Sequence, residues 1–171
     1  RPSPIDTVRP SAEAAGIKLT HTFDLEKGLV LGDPARMQQI VWNILSNAIK
    51  FTPRGGTVNV LLQSNDGQIA VIIKDNGVGI SPEFLPHVFE PFRQADSKTT
   101  RKYGGLGLGL SIVRSLVESH GGTVRVDSEG EGEGAVFNVV FPRAKEATQT
   151  KSEPRGAAAD LAHHISVTSE T

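Results

Sequence analysis

Residues 34–50 read PARMQQIVWNILSNAIK, and their spacing predicts the clearest helix of the chain. Apolar side chains recur at the i, i+3, i+4 and i+7 positions of an amphipathic helix. Asp33 offers an N-cap, Pro34 suits the first helical position, and residues 52–56 end the helix. The side chains on the predicted apolar face are Met37, Ile40, Val41, Ile44, Leu45, Ala48 and Phe51.

One edge of this helix is polar. At about 100° per residue, Asn43, Asn47 and Lys50 fall within roughly 60° of one another, beside the apolar face and not opposite it. Carboxamide oxygens in this position could ligate a hard cation such as Mg²⁺, and Lys50 could meet phosphate oxygens. A solvated helix edge would give the same pattern, so the stripe alone leaves both interpretations open.

The other elements are shorter and mix the two periodicities. Alternating apolar residues around the turn Asn65-Asp66-Gly67 predict a β-hairpin. Strands are predicted over residues 17–23, 57–63, 68–74, 123–127 and 135–141. Helices are predicted over 8–15, over 81–88, and from a glycine run to near residue 120. A short apolar run lies at 29–31, and a polar loop is predicted over 94–103. This order favours an α+β fold, a two-layer α/β sandwich whose mixed, mostly antiparallel sheet carries helices on one face.

The length of 171 residues suits one domain with a single core. Residues 17–142 carry the patterned segments and form the expected domain. Residues 1–16 are interpreted as the remnant of a preceding linker or as a first helix. Residues 143–171 have almost no large apolar side chains, which predicts a flexible linker or tail.

Composition narrows the functional classes. A net charge of −1 gives no reason to expect nucleic acid as a partner. The absence of cysteine excludes disulfides and thiolate chemistry, and it fits a reducing compartment such as the cytoplasm. No apolar run approaches the ~20 residues that span a bilayer, so we expect no direct membrane insertion, although a longer parent protein could be anchored.

A second candidate site begins where an apolar strand ends on Asp75. The loop Asp75-Asn76-Gly77-Val78-Gly79 places an acid beside two glycines. The acid could accept a hydrogen bond from a purine amino group, and glycines allow a flat ring to approach the backbone. A plain turn between a strand and a helix is the alternative for this loop.

A third candidate is the glycine run of residues 104–109, which reads GGLGLG before a predicted helix. Glycine-rich backbone at a helix N-terminus offers N–H groups and a positive dipole end to phosphates. The run is not a Walker A loop, because no Gly-Lys-Ser/Thr follows it. A flexible hinge is the alternative. The order of a polar helix edge, an acid with glycines, a polar loop and a glycine run is more specific than any one part.

Together these motifs resemble those of sensor histidine kinases. Residues 43–52 (NILSNAIKFT) look like the N box, 75–80 (DNGVGI) like the first glycine box, 89–92 (FEPF) like the F box and 104–111 (GGLGLGLS) like the second glycine box. The resemblance covers about residues 17–142. It implies the Bergerat ATP-binding fold, which this family shares with DNA gyrase B, heat-shock chaperones and the mismatch-repair protein MutL.

The resemblance implies a role for each matching residue. Asn47 would ligate Mg²⁺ on the ATP phosphates, Asn43 and Lys50 would contact phosphates, and these three residues would serve catalysis. Asp75 would accept from the adenine amino group. Residues 92–103 would form the ATP lid, which Phe89 and Phe92 would anchor. The remaining nucleotide-binding positions implied are Gly77, Gly79, Tyr103, Gly105, Leu106, Gly107, Leu108 and Gly109.

Asn43 bears on the type of reaction. In the hydrolytic relatives a glutamate at this position activates water, whereas a carboxamide has no useful basicity. Transfer of the γ-phosphate to a protein nucleophile is therefore expected in place of hydrolysis, with positioning and charge neutralisation as the main catalytic effects. The alternatives are a regulatory ATP-binding module without phosphotransfer, or a serine kinase of the anti-sigma type.

None of the five histidines fits the family's acceptor motif of a histidine, an acid and nearby Arg and Pro. His21 lies in a predicted strand, His87 in a short helix, and His120 near the end of a helix, where a cation suits the dipole. We therefore expect the acceptor to lie on a separate dimerisation domain. The expected partners are this domain and the receiver domain of a response regulator.

Overall fold

The computed structural model describes residues 3–25, 34–91 and 109–142. The predicted apolar run at 29–31, the N-cap Asp33, the polar loop at 94–103, most of the glycine run and the tail at 143–171 lie outside these ranges.

Within these ranges, five strands form one open sheet in the order β1-β2-β3-β5-β4. The strands are β1 (Lys18–Asp24), β2 (Thr57–Asn65), β3 (Gln68–Asp75), β4 (Thr123–Asp127) and β5 (Ala135–Phe141). β1 pairs with β2 in parallel, and the other three pairings are antiparallel. The tight turn between β2 and β3 has positive φ at both Asp66 and Gly67, as the predicted hairpin requires.

Among the described residues, three helices pack on one face of the sheet. They are α1 (Pro4–Ala14), α2 (Pro34–Lys50) and α3 (Gly109–Ser119), and α2 contacts both α1 and α3. Alternate residues of β2, β3 and β5 share one buried core with all three helices. The α+β two-layer architecture and the predicted span of α2 are therefore confirmed.

Two of the short helices differ from the prediction. α1 begins at Pro4, four residues before the predicted start, because Ser3 and Asp6 form a capping box around Pro4 at the first position. The helix predicted over 81–88 is reduced to a 3-10 helix at Leu85–His87. Its apolar residues follow no extended helical period, and Pro86 removes a backbone donor in the middle of the segment.

Within the described ranges, no helix has both the length and the apolar character that a membrane span requires.

Candidate nucleotide-binding site

The last two turns of α2 place the three predicted polar residues on one edge of the helix. Asn43, Asn47 and Lys50 are all half-buried, while Ile44, Leu45 and Ala48 beside them are buried in the core. The edge therefore lies at the boundary between core and solvent, where its polar side chains are accessible to a ligand while the helix stays intact. The Lys50 ammonium group lies 5.7 Å from the centre of the Phe51 ring, a cation–π distance.

Hydrogen bonds fix where α2 ends. The Phe51 N–H donates to the Asn47 carbonyl at 3.0 Å, and the buried Thr52 hydroxyl donates to the Ala48 carbonyl at 2.6 Å. The Thr52 bond satisfies one of the carbonyls that a helix end leaves without a partner. Hydrogen bonding to helix carbonyls thus continues through the last turn, which carries Lys50.

Asp75 occupies the end of β3, and only 7% of its surface is exposed. One carboxylate oxygen accepts from the Gly77 N–H at 2.9 Å. Burial raises the pKa of Asp75, and backbone hydrogen bonds from Gly77 and Ala135 partly oppose this rise. Two backbone donors therefore orient a carboxylate that has little water around it, which is a suitable acceptor for a ligand amino group.

The loop after Asp75 is bonded to the end of α2. The Val78 N–H donates to the Phe51 carbonyl at 3.0 Å. Gly77 lies so close to the Phe51 carbonyl oxygen that a side-chain carbon added at Gly77 would overlap this oxygen. Glycine is thus required here by the close approach of two backbones. This joint brings together Asp75 and the polar edge of α2, two groups that lie about 30 residues apart in sequence.

Asn76 ties the other side of the loop to the sheet. Its side-chain oxygen accepts from the Thr57 N–H at 2.7 Å, and its own N–H donates to the Thr57 carbonyl at 3.3 Å. Asn76 extends the pairing between β2 and β3 by one residue beyond the last ladder position. The first residue of the loop is therefore bonded to the residue that begins β2.

A third segment supports the loop from the β4–β5 hairpin. Residues 128–134 read SEGEGEG, and the N–H groups of Gly132 and Gly134 donate to the carbonyls of Val78 and Gly77 at 2.7 and 3.2 Å. Gly79 has a φ of +69°, and a side-chain carbon there would overlap the Gly130 carbonyl oxygen. The loop therefore lies directly against this hairpin turn.

Phe89 packs against the core, and its ring meets the Phe137 ring edge-on with a centroid separation of 6.3 Å. One of the two residues predicted to anchor the lid thus packs against β5. Phe92, the second predicted anchor, lies outside the described residues, as do Tyr103, Gly105, Leu106, Gly107 and Leu108. Gly109 is exposed at the first position of α3, and no atom of the described residues lies within 4 Å of the place that a side-chain carbon would take there.

Sequence reasoning missed the contributions of Asn76, Ser128 and the three glycines of the hairpin turn. A signal for the turn was present, because Gly130, Gly132 and Gly134 alternate with glutamates and all three have positive φ. A seven-residue hairpin connection is longer than the common two-residue type, which indicates that it has a contact to make. The contact partner could not be read from the pattern.

Comparisons with known proteins agree with this arrangement. The family of histidine kinase-, DNA gyrase B- and HSP90-like ATPases matches residues 32–145. Hybrid signal transduction histidine kinase D of Dictyostelium discoideum is 41% identical over 140 residues, which cover 68% of this chain and 9% of that protein. The chain therefore spans a small part of this curated relative.

Two solved structures share the fold. The mycobacterial sensor histidine kinase MprB is 33% identical with a TM-score of 0.70, and the match covers 83% of this chain and 93% of that one. Full-length ShkA in complex with AMPPNP is 33% identical with a TM-score of 0.72, and the match covers 85% of this chain and 29% of that one.

The chain belongs to the histidine kinase-, DNA gyrase B- and HSP90-like ATPase family, and it has the ATP-binding catalytic domain of sensor histidine kinases. The predicted family, fold class and ATP binding are thereby confirmed. The roles of individual residues and the identity of the metal remain predictions.

The residues present fit magnesium delivered with a nucleotide. Mg²⁺ typically takes only one or two protein ligands, its other positions being filled by phosphates and water. Among the described residues there is no group of three or more His, Asp or Glu side chains arranged to hold a metal alone. Asn47 offers one hard carboxamide oxygen at the half-buried edge of α2, which is sufficient for a metal bound mainly by phosphates.

Proposed function

We propose that this chain transfers the γ-phosphate of Mg-ATP to a histidine on a separate dimerisation and acceptor domain. The observation that carries the proposal is the joint between α2 and the loop after β3. Because Val78 bonds to Phe51, the loop after the buried Asp75 is fixed beside the end of the helix that carries Asn43, Asn47 and Lys50. One nucleotide can then meet the acid with its base and the helix edge with its phosphates.

Each part of this surface has a distinct chemical task. Asp75 accepts a hydrogen bond from the adenine amino group. Gly77 and Gly79 have no side chains, so the adenine ring can lie close to the backbone of the loop. Asn43, Asn47 and Lys50 hold the phosphates, with Asn47 as the protein ligand of Mg²⁺. Magnesium supplies charge neutralisation of the phosphate oxygens when it is bound. Tyr103 and residues 105–109 complete the site as the lid and its phosphate-binding backbone.

The chemical step needs little covalent help from the protein. A nitrogen of the acceptor imidazole forms the new bond to the γ-phosphorus while the bond to the β–γ bridging oxygen breaks, and ADP leaves with the electron pair. Negative charge grows on the phosphate oxygens near Lys50, which favours the transition state electrostatically. Asn43 cannot take a proton from water, so the bound phosphate is preserved for the incoming imidazole.

The acceptor domain and, after it, the receiver domain of a response regulator are the proposed partners. The site is expected to work in the cytoplasm, where ATP and the receiver are found, whatever anchors the parent protein. Residues 143–171 are proposed to be a linker or tail after the catalytic domain at 17–142.

The test mixes the chain with Mg-ATP labelled on the γ-phosphate and with an acceptor domain from a related kinase. Phosphate that is labile in acid and stable in base should appear on the acceptor, and an acceptor with its histidine replaced by glutamine should stay unlabelled. ATP binding without any phosphohistidine would replace this proposal with a regulatory ATP-binding module. Labelled serine on a protein substrate would instead indicate an anti-sigma type kinase.

A further inference from the structure

Ser128 lies where the loop of residues 76–80, called here the nucleotide loop, contacts the β4–β5 hairpin. Its hydroxyl oxygen accepts from the Ile80 N–H at 3.0 Å and from the Gly130 N–H at 3.3 Å. Its hydroxyl hydrogen has two carbonyls within reach, that of Gly134 at 2.7 Å and that of Gly130 at 3.3 Å. The first of these is the shorter bond.

These contacts use the full hydrogen-bonding capacity of the side chain. A serine hydroxyl has one hydrogen to donate and two lone pairs to accept. Ile80 and Gly130 occupy the lone pairs and Gly134 takes the hydrogen. No capacity is left for a ligand, so any effect of Ser128 on nucleotide binding must act through the segments that it joins.

One of those segments contacts Asp75 directly, and the other follows Asp75 in sequence. Gly134 packs against the Asp75 carbonyl so closely that a side-chain carbon would overlap it, and the next residue, Ala135, supplies a backbone hydrogen bond to the Asp75 carboxylate. Ile80 ends the loop that begins at Asp75. Ser128 therefore links Gly134, which lies beside Asp75, to Ile80 at the end of the nucleotide loop.

We infer that Ser128 is a positioning residue for adenine recognition: its hydroxyl clamps residues 77–80 to the hairpin turn and thereby sets the place of the Asp75 carboxylate. The inference rests on the proposed function, because it assigns the base of ATP to Asp75. Loss of the hydroxyl leaves the Ile80 N–H and the Gly134 carbonyl without this partner. The loop can then move away from the hairpin, and recognition of the base should suffer while the phosphate contacts on α2 remain.

The test compares four variants by calorimetric titration with ATP and with inosine triphosphate, which lacks the 6-amino group. Ser128→Ala should weaken ATP binding about tenfold, the equivalent of one ~1.4 kcal/mol hydrogen-bond contribution. Binding of inosine triphosphate should change by less than about threefold, since that base has no amino group for Asp75 to accept from. Ser128→Thr keeps the hydroxyl and should retain ATP affinity, whereas the equally shaped Ser128→Val should lose it.

Ser119→Ala is the matched control. The Ser119 hydroxyl also donates to a carbonyl, that of Leu116 at 2.8 Å, but it does so at the end of α3, away from the loop. This control should bind both nucleotides as the wild-type chain does. Amide hydrogen exchange gives a second measurement that needs no ligand: residues 77–80 should exchange faster in Ser128→Ala, while α3 should exchange at its original rate.

The outcomes separate the inference from the function on which it rests. Equal losses for ATP and inosine triphosphate in Ser128→Ala, or equal behaviour of the Thr and Val variants, would overturn the positioning role and leave the ATP site standing. A wild-type chain that binds ATP and inosine triphosphate equally well would overturn the adenine assignment itself, and the positioning role with it.

Discussion

Replacing Gly79 by alanine tests the contact between the nucleotide loop and the hairpin turn. Two separate costs are expected. The first is conformational, because Gly79 has a φ of +69° and a residue with a side chain pays about 1 kcal/mol in that region. The second is steric, because the new carbon would lie well within 3.0 Å of the Gly130 carbonyl oxygen, a separation that such atoms essentially never reach.

The steric cost follows from the bonds that would have to give way. Relieving the overlap would move the loop away from the hairpin. Three hydrogen bonds join these two segments, namely Gly132–Val78, Gly134–Gly77 and Ile80–Ser128. Each such bond contributes about 1 kcal/mol net. Loss of two of them adds about 2 kcal/mol, so Gly79→Ala should destabilise the fold by about 3 kcal/mol in total.

Gly55→Ala is the control for the conformational cost. Gly55 has a φ of +89°, and no atom in the described part of the chain lies within 4 Å of the position that its side chain would take. Urea unfolding should therefore show a loss of about 1 kcal/mol for Gly55→Ala and about three times that for Gly79→Ala. Equal losses in the two variants would refute the argument that the loop rests on the hairpin.

Two further predictions concern the start of the same loop. Burial raises the pKa of Asp75 above its ordinary value of 3.8, so the stability contributed by its protonated form is present below that value and is lost as pH rises through the folded pKa. The unfolding free energy of the wild-type chain minus that of Asp75→Asn should therefore fall as pH rises from 3.8 through the raised pKa of Asp75; a constant or rising difference would contradict the burial argument. Asn76→Ala removes the acceptor for the Thr57 N–H and should cost about 1 kcal/mol in urea unfolding, whereas Asn76→Asp keeps an acceptor and should cost less than about 0.5 kcal/mol. Identical losses for Ala and Asp would show that the side-chain hydrogen bond is not what Asn76 contributes.

Much of the fold was predictable because its elements have clean periodicities. The apolar spacing of residues 37–51 predicted α2 to within a residue, and the turn residues Asp66 and Gly67 set the register of β2 and β3. The predicted start of α1 at residue 8 was wrong by four residues. Pro4 in fact opens the helix, and Pro10 lies within it.

The site was predictable in its chemistry and less so in its assembly. The helical period alone placed Asn43, Asn47 and Lys50 on one edge, and the end of an apolar strand singled out Asp75. Contacts between distant backbones have no local signature. The bond from Val78 to Phe51 and the support from residues 128–134 depend on how the elements pack, and only the alternating glycines hinted at the second.

The central claim is that Asp75 recognises the adenine base, and the affinity of Asp75→Asn for ATP tests it most directly. Hydrogen bonds to charged groups contribute about 1.5–3 kcal/mol, so the dissociation constant should rise between about tenfold and a hundredfold in calorimetric titration. Asp127→Asn, an exposed change in β4, should bind ATP as the wild-type chain does. An unchanged affinity in Asp75→Asn would contradict the account of the site.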